Sequence, residues 1–162
     1  MRWFVHCAFA IFITLQPGLS IAGQASKNAP VSPAASPEFK ALIDRYYEAW
    51  NTGNPDNAAP LYAKDPNLIF YDLTPLKYTG WSQYDKGIRN VLASFASAKF
   101  TPQPDLNVTR HGMIAWTTVT WHLSGKKKSG EAVELDGRHT AIWENRHGQW
   151  LIVHEHFSAP LP

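Results

Sequence analysis

The sequence is poor in residues and motifs that carry nucleophilic or phosphate-binding chemistry. Cys7 is the only cysteine among its 162 residues and lies in an apolar N-terminal run, so the remainder of the chain has no disulfide and no thiol nucleophile. The sequence also lacks a Gly-x-Ser-x-Gly motif and a glycine-rich loop ahead of a helix. These absences argue against serine or cysteine catalysis and against a phosphate-loop mechanism.

Charge of one sign is scarce as well. The formal net charge is +2, and the only basic run is Lys126–Lys128, which lies where a hairpin tip is expected. A nucleic-acid-binding surface usually contains a basic stripe or patch. The composition therefore predicts that nucleic acid is not a partner.

The N-terminal segment has the three-part layout of a secretory signal. Met1 and Arg2 supply a positive start, residues 3–15 are almost wholly apolar, and small residues follow a Gln-Pro-Gly break. An apolar run of 13 residues is short for a bilayer, which takes about 20. We therefore expect residues 1–25 to be a signal peptide cleaved after Ala22 or Ala25. The mature protein is then secreted or periplasmic, with no membrane attachment.

Helical patterns come first in the mature chain. Residues 26–37 are rich in Ala, Ser and Pro and are predicted to be a disordered linker. Apolar residues at helical spacing predict a first helix over residues 37–50, with Ser36 as its cap. Asn54 followed by Pro55 predicts a short second helix. A β-prone run over 68–71 precedes a third helix, which a capping-box pattern starts near Ser82 and whose apolar face extends to Phe95.

Strand patterns follow from residue 106 to the end. Runs over 106–110, 114–123, 133–144 and from 150 onward are rich in β-branched and aromatic residues and are separated by turn residues. Consecutive hairpins make an antiparallel meander. The class is therefore α+β, with a cone-shaped, curled antiparallel sheet packed against three N-terminal helices, and a parallel dinucleotide-binding sheet is excluded.

Two blocks of sequence give this order of elements a known likeness. The C-terminal block runs from Gly137 to Glu144 and continues from Gly148 to Pro160, and the second block is Tyr71–Trp81. The C-terminal block resembles the closing hairpin of SnoaL-like proteins in the nuclear transport factor 2-like superfamily, and it is similar to the calcium/calmodulin-dependent kinase II association domain. The resemblance covers residues 38–162 and implies a cystatin-like α+β domain with an apolar pocket at the open end of the cone. One such scaffold serves isomerases, cyclases, dehydratases and non-catalytic modules.

Asp72 is the first candidate for chemistry. It ends the apolar run 68–71, where an unpaired buried carboxylate would be costly and would have a raised pKa. By position it resembles the general base of ketosteroid isomerases. The resemblance also implies that Tyr47, or its neighbour Tyr46, donates a hydrogen bond to an oxyanion. The alternative for Asp72 is a turn residue bonded to the loop backbone.

The strand around residue 139 supplies the next candidates. Strict alternation puts His139 and Trp143 on one face and Arg138 on the other. Trp143 favours the first face as the inner one, which makes His139 an acid, a base or an orienting donor. With the faces reversed, Arg138 would line the pocket. Trp50 and Trp81 are the remaining aromatic candidates for its wall.

His154 and His156 share one face of the last strand and are candidate ligand-binding residues. With His139 they could form a three-histidine zinc site, but no diagnostic spacing supports a metal, and structural hydrogen bonds or a dimer contact are the alternatives. We expect no metal and no cofactor.

The sequence thus predicts a domain that binds a small apolar or aromatic molecule. If the domain is an enzyme, cofactor-free isomerisation, dehydration or cyclisation by proton transfer is expected. The alternative is a non-catalytic ligand-binding or oligomerisation module like the kinase association domain. A homodimer or higher homo-oligomer is expected in either case.

Overall fold

The computed structural model describes residues 36–160. The predicted signal peptide and all of the predicted linker except its last two residues lie outside the described residues. Within 36–160, no helix combines the length and hydrophobicity that crossing a bilayer requires.

Three helices occupy the first half of the described chain. Helix α1 is Pro37–Asn51 and α2 is Pro55–Ala58, followed by a 3-10 turn at Ala59–Leu61. The Asn54 side chain accepts the Asp56 amide at 3.1 Å, as predicted for the cap of α2. Ser36 precedes α1, but its side chain makes no capping bond. Proline at the start of α1 already fixes the helical φ and removes one amide that a cap would satisfy.

Helix α3 is Gly80–Leu92, shorter at its C-terminal end than the apolar pattern predicts. It also begins two residues before Ser82. The Gln83 side-chain oxygen accepts a hydrogen bond from the Thr79 backbone amide at 2.9 Å. The side chain that caps the first turn of α3 is therefore that of Gln83.

In the described part of the chain, seven strands form one sheet. Their bounds are β1 Ile69–Tyr71, β2 Tyr78–Thr79, β3 Phe95–Pro102, β4 Asn107–His111, β5 Ile114–Lys127, β6 Ala132–Arg146 and β7 Gln149–Ser158. The order is β2-β1-β7-β6-β5-β3, with β4 beside β3 along the same edge of β5. The curled antiparallel meander of the prediction is confirmed for β4 to β7. One pair departs from it, because β1 runs parallel to β7.

Strand β3 was not expected from the sequence. Phe95, assigned to the third helix by its apolar spacing, instead opens this strand. The segment Ala96–Lys99 has little β propensity, and its pairing partner is the far half of β5, which continues through Gly125 to Lys127. Lys126 and Lys127 therefore lie in a strand rather than at a hairpin tip, and Lys128 begins the turn.

The helices cover one face of the sheet, which we call the inner face. On this face β5 buries Ala115, Val119 and Trp121, and β6 buries His139, Ala141 and Trp143. Alternation on β6 was therefore read in the correct phase. The helices contribute a dense set of aromatic side chains, namely Phe39, Tyr46, Tyr47, Trp50 and Tyr84. Rings of this size bury large apolar areas and account for much of the stabilisation of such a core.

Candidate active site

A cavity of about 150 Å³ opens between the helices and the inner face of the sheet. Its walls are almost wholly apolar and come from α1, the loop after β1, α3, β3, β5 and β7; they comprise Tyr46, Tyr47, Trp50, Asp72, Leu73, Thr74, Tyr84, Ile88, Val91, Leu92, Phe95, Phe100, Trp121, Leu123 and Phe157. A closed, dry cavity of this volume accommodates a molecule about the size of benzene, and this cavity is open to solvent on one side, so a larger ring system can extend out of it. Small-ligand sites share this character, with apolar walls and a few placed polar groups.

Asp72 is the only residue in this lining that ordinarily carries a charge at neutral pH. Asp72 directly follows β1, and β1 pairs with β7. This pairing brings the partly buried Asp72 carboxyl to the cavity. Burial raises its pKa from 3.8 to about 6, opposed by a hydrogen bond from the Leu73 amide at 2.6 Å and assisted by the negative charge of Glu155. A carboxyl with this pKa exchanges protons readily near neutral pH.

Behind the cavity wall lies a buried carboxyl, that of Glu155 on β7. Its oxygens accept hydrogen bonds from the Tyr46 hydroxyl at 3.1 Å and from the Tyr62 hydroxyl at 2.9 and 3.0 Å, and from the Tyr84 hydroxyl as well. Glu155 is 0% exposed. Two of the three phenols, Tyr46 and Tyr84, also line the cavity, so the carboxyl fixes the orientation of two wall residues.

His139 joins this cluster from β6. Its Nδ1 lies 3.3 Å from the Tyr47 hydroxyl, and its Nε2 lies 3.6 Å from Glu155 Oε2. The ring stacks on Phe157 and on Tyr46, with centroid distances of 4.3 and 4.9 Å. His139 is buried and is not among the residues that line the cavity. It therefore reaches the cavity only through wall residues, namely Tyr46, Tyr47 and Phe157.

The phenols of this cluster remain protonated across the ordinary pH range. Burial, and next the nearby Glu155 carboxyl, raise the pKa of Tyr46, Tyr62 and Tyr84 well above that of a free phenol. Burial also raises the pKa of Tyr47, again with a contribution from Glu155. The cluster therefore supplies hydrogen-bond donors, and none of these phenols serves as a base.

Trp121 forms part of the same wall and lies flat against β6. A Cβ at Gly137 would collide with its indole ring, so glycine at this position allows the close approach. The indole Nε1–H is buried and has no hydrogen-bond partner within residues 36–160. An unpaired buried donor is uncommon in folded proteins and calls for an explanation.

Several predicted site residues lie elsewhere. Trp81 packs against Tyr62 and under the Lys64 ammonium, outside the cavity lining. Trp143 points inward but packs on Phe39 at the opposite end of α1 from Trp50, about 16 Å away at the helical rise. Arg138 is exposed on the outer face. The expectation that these three residues line the pocket is not met, whereas Asp72, Tyr47 and Trp50 do line it.

His154 and His156 do not face the cavity either, because β7 contains a bulge. Trp143 pairs with Ile152 and Ile142 with His154, so Val153 is an extra residue and the alternation changes phase there. His154 instead bonds the Ile69 carbonyl at 2.7 Å, and His156 is exposed beside Tyr71. His139 lies on the other face, so the three histidines do not meet. No cluster of three metal-binding side chains occurs within 36–160.

Glu155 is the site residue that sequence reasoning missed. Plain alternation on β7 keeps Glu155 on the face opposite Ile152, and only the bulge turns both residues inward. One signal was available in the sequence. Glu155 and Phe157 are two positions apart and so share a strand face, and a phenylalanine indicates a face that is buried.

The arrangement suits proton transfer on a ligand held by apolar contacts. A carboxyl able to ionise near pH 6 faces the ligand volume, and protonated phenols stand on the surrounding wall. Such a pair can remove a proton from a carbon beside a carbonyl and stabilise the oxyanion that results.

Comparisons with known proteins agree on the architecture. A family model described as a SnoaL-like domain matches residues 39–162. The search of curated proteins gives no match. Among solved structures, a nuclear transport factor 2-like superfamily protein from Salmonella enterica has 22% identity and a TM-score of 0.71, and the alignment covers 77% of this chain and 90% of that one.

Two further structures extend the likeness. A provisionally assigned calcium/calmodulin-dependent kinase II association domain from Xanthomonas campestris has 25% identity and a TM-score of 0.66, over 80% of this chain and 95% of the other. A provisionally assigned ketosteroid isomerase from Shewanella frigidimarina has 22% identity and a TM-score of 0.62, over 73% and 92%. Similarities at this level of identity establish the fold.

Proposed function

The chain belongs to the SnoaL-like domain family, and on this basis we propose that it binds a small apolar or aromatic molecule and catalyses cofactor-free proton transfer on it. The reaction class is isomerisation, dehydration or cyclisation. The observation that carries the proposal is the position of Asp72, whose carboxyl, with a pKa of about 6, faces an otherwise apolar cavity.

In this mechanism the Asp72 carboxylate takes a proton from a carbon next to a carbonyl or an equivalent activating group. The electron pair of the C–H bond forms a C=C bond to the carbonyl carbon, and the π pair of the C=O bond moves onto the oxygen, which becomes an oxyanion. The Tyr47 hydroxyl on the same wall donates a hydrogen bond to that oxygen. Protonated Asp72 then returns the proton to another carbon or supports loss of a leaving group. His139, which lies behind Tyr47 at 3.3 Å, is a positioning residue and does not return the proton itself.

The test uses 2-tetralone, an aromatic ketone whose carbonyl activates the neighbouring C–H bonds. Incubation in D₂O with the protein, followed by proton NMR, measures exchange of these hydrogens for deuterium. We expect wild type to accelerate exchange and Asp72→Asn to lose at least about 100-fold of the acceleration, the scale of a general base. Asp44→Asn is the matched control, because Asp44 is exposed and paired with Lys40. Equal acceleration by wild type and Asp72→Asn would contradict the assignment of the base.

Export is part of the proposal and rests on the N-terminal sequence alone. The full-length chain is expected in the periplasmic or secreted fraction, with a new N-terminus after Ala22 or Ala25. N-terminal sequencing of the recovered protein tests this. A cytoplasmic product that retains residues 1–25 would contradict it.

A second candidate is a non-catalytic ligand-binding or oligomerisation module. It is favoured by apolar side chains on the outer face of β5, where Ile114 and Trp116 are 39% and 38% exposed. If this face joins two copies in a homodimer, Trp116→Lys should give monomers in size-exclusion chromatography with light scattering. A stable oligomer without any effect of Asp72→Asn on tetralone exchange would favour this second reading.

A further inference from the structure

The polar cluster behind the cavity holds more donors than one carboxyl normally receives. Glu155 accepts hydrogen bonds from three phenols, and neither of its oxygens is exposed. A protonated carboxyl would have to direct its own O–H at one of these phenol oxygens, whereas a carboxylate accepts from all three. The geometry therefore fits the carboxylate form of Glu155.

A buried carboxylate needs a positive partner. Glu155 makes no contact with an arginine or lysine within residues 36–160, and the only basic side chain within 4.0 Å is His139. Its Nε2 lies 3.6 Å from Glu155 Oε2, a charge contact that is too long for a hydrogen bond, and Nε2 has no hydrogen-bond partner within the same residues. The other titratable groups around the pair are all acidic or phenolic: Tyr46 and Tyr47 from α1, Tyr62, Tyr84 from α3, and Asp72 from the loop after β1. None of them supplies positive charge.

The protonation of His139 decides what Tyr47 offers to a ligand. If His139 is neutral with its proton on Nε2, facing Glu155, then Nδ1 accepts the only proton of the Tyr47 hydroxyl. The cavity would then meet a phenol oxygen that can only accept. If Nδ1 carries a proton, Nδ1–H donates to the Tyr47 oxygen, and the Tyr47 proton is free to turn toward the cavity. A neutral ring protonated on Nδ1 would direct the lone pair of Nε2 at the Glu155 carboxylate, so the imidazolium is the form that fits both contacts.

We propose that His139 and Glu155 form a buried ion pair and that this pair makes Tyr47 a hydrogen-bond donor toward the cavity, selecting ligands that carry an acceptor oxygen such as a carbonyl. His139 and Glu155 are thus specificity-determining residues that never touch the ligand. The inference rests on the proposed function in one respect, namely that the cavity binds the ligand.

Trp121 supports the same ligand class independently. Its Nε1–H is a donor without a partner within 36–160, on a residue that lines the cavity. Tyr46 and Tyr84, by contrast, direct their protons at Glu155. A ligand oxygen that accepts from Trp121 would satisfy a donor that has no partner within residues 36–160, and one that accepts from Tyr47 would use the proton that the imidazolium leaves free.

The charge of the pair is tested first without any ligand. Nitrogen NMR of ¹⁵N-histidine-labelled protein at pH 7.5 distinguishes an imidazolium from either neutral tautomer, and His139→Gln identifies the resonance. We expect His139 to be protonated on both nitrogens, and exposed His147 supplies a reference resonance in the same spectrum. Glu155→Gln should return His139 to a neutral tautomer. A neutral His139 in wild type would overturn the inference, whether or not the Glu155→Gln variant folds.

Ligand selection is tested with 2-tetralone and tetralin, which differ only in the carbonyl oxygen. We expect wild type to bind the ketone roughly fivefold to tenfold more tightly, the effect of one hydrogen bond. Tyr47→Phe should lower this preference even though Trp121 is kept, and Tyr71→Phe, which alters an exposed phenol, should leave it unchanged. An unchanged preference in Tyr47→Phe would overturn the inference. Equal affinity of wild type for both probes would overturn the inference and leave the proposed cavity intact. If neither probe binds, the proposed function fails for this ligand class, and the nitrogen spectrum alone decides the ion pair.

Discussion

Replacing Asp72 by asparagine is expected to stabilise the folded protein at alkaline pH while removing the base of the proposed reaction. In the fold, burial raises the pKa of this carboxyl from 3.8 to about 6. The folded protein therefore binds the Asp72 proton more tightly than the unfolded chain does. The free energy of unfolding falls as the pH rises through this window, because ionisation is opposed only in the folded state.

The size of the change in the free energy of unfolding follows from the pKa shift of Asp72. A difference of roughly two pKa units corresponds to about 3 kcal/mol of lost stability at pH 8. The side chain is partly exposed, so solvent screening reduces the expected effect to about 1–2 kcal/mol. Asparagine keeps an oxygen for the Leu73 amide and carries no charge, so it should recover this amount at pH 8 and little of it at pH 4.

Urea unfolding followed by tryptophan fluorescence measures the effect. The quantity of interest is the difference in unfolding free energy between Asp72→Asn and wild type at pH 8, minus the same difference at pH 4. Asp44→Asn, at an exposed position, should give a difference close to zero. If Asp72→Asn destabilises the protein at pH 8, or if the difference does not vary with pH, the carboxyl is not in the environment described here.

Three further predictions concern packing and placement. Gly137→Ala should destabilise the fold by about 1–3 kcal/mol in urea, because the added methyl group meets the Trp121 ring and the Ser158 carbonyl; no loss would contradict the close approach. Asn51→Ala should cost about 1–3 kcal/mol, since it leaves the Phe100 amide and carbonyl, now bonded at 2.7 and 2.9 Å, without partners; thermal unfolding checks this. His156→Ala should leave 2-tetralone affinity unchanged in calorimetry, and a loss would return this residue to the cavity.

The order of elements was readable from the sequence because it depends on local signals. Proline at the start of α1, Asn54 ahead of α2, and turn residues between long β-branched runs act over a few residues. The phase of β6 was also readable, since Trp143 marks the buried face in a strand that alternates without interruption from Gly137. The position of Asp72 in the cavity lining was predictable because a carboxyl at the end of an apolar strand is conspicuous.

The features that could not be predicted depend on contacts between residues far apart in the chain. Strand β3 has weak local propensity and forms because β5 is long enough to pair with it as far as Lys127. The bulge at Val153 leaves no mark in the sequence, yet it decides that Glu155 faces the phenols and that His154 does not. The cluster of Tyr62 and Tyr84 with Glu155 joins residues 71 or more positions apart, beyond the reach of periodicity.

The proposed proton transfer depends most on the environment of the Asp72 carboxyl. Carboxyl-carbon NMR of ¹³C-aspartate-labelled protein, with Asp72→Asn to assign the resonance, measures its titration directly. We expect a midpoint near pH 6 and a change in that midpoint when 2-tetralone is added. A midpoint near 3.8, unaffected by the ketone, would place the carboxyl in bulk water and contradict the proposed site.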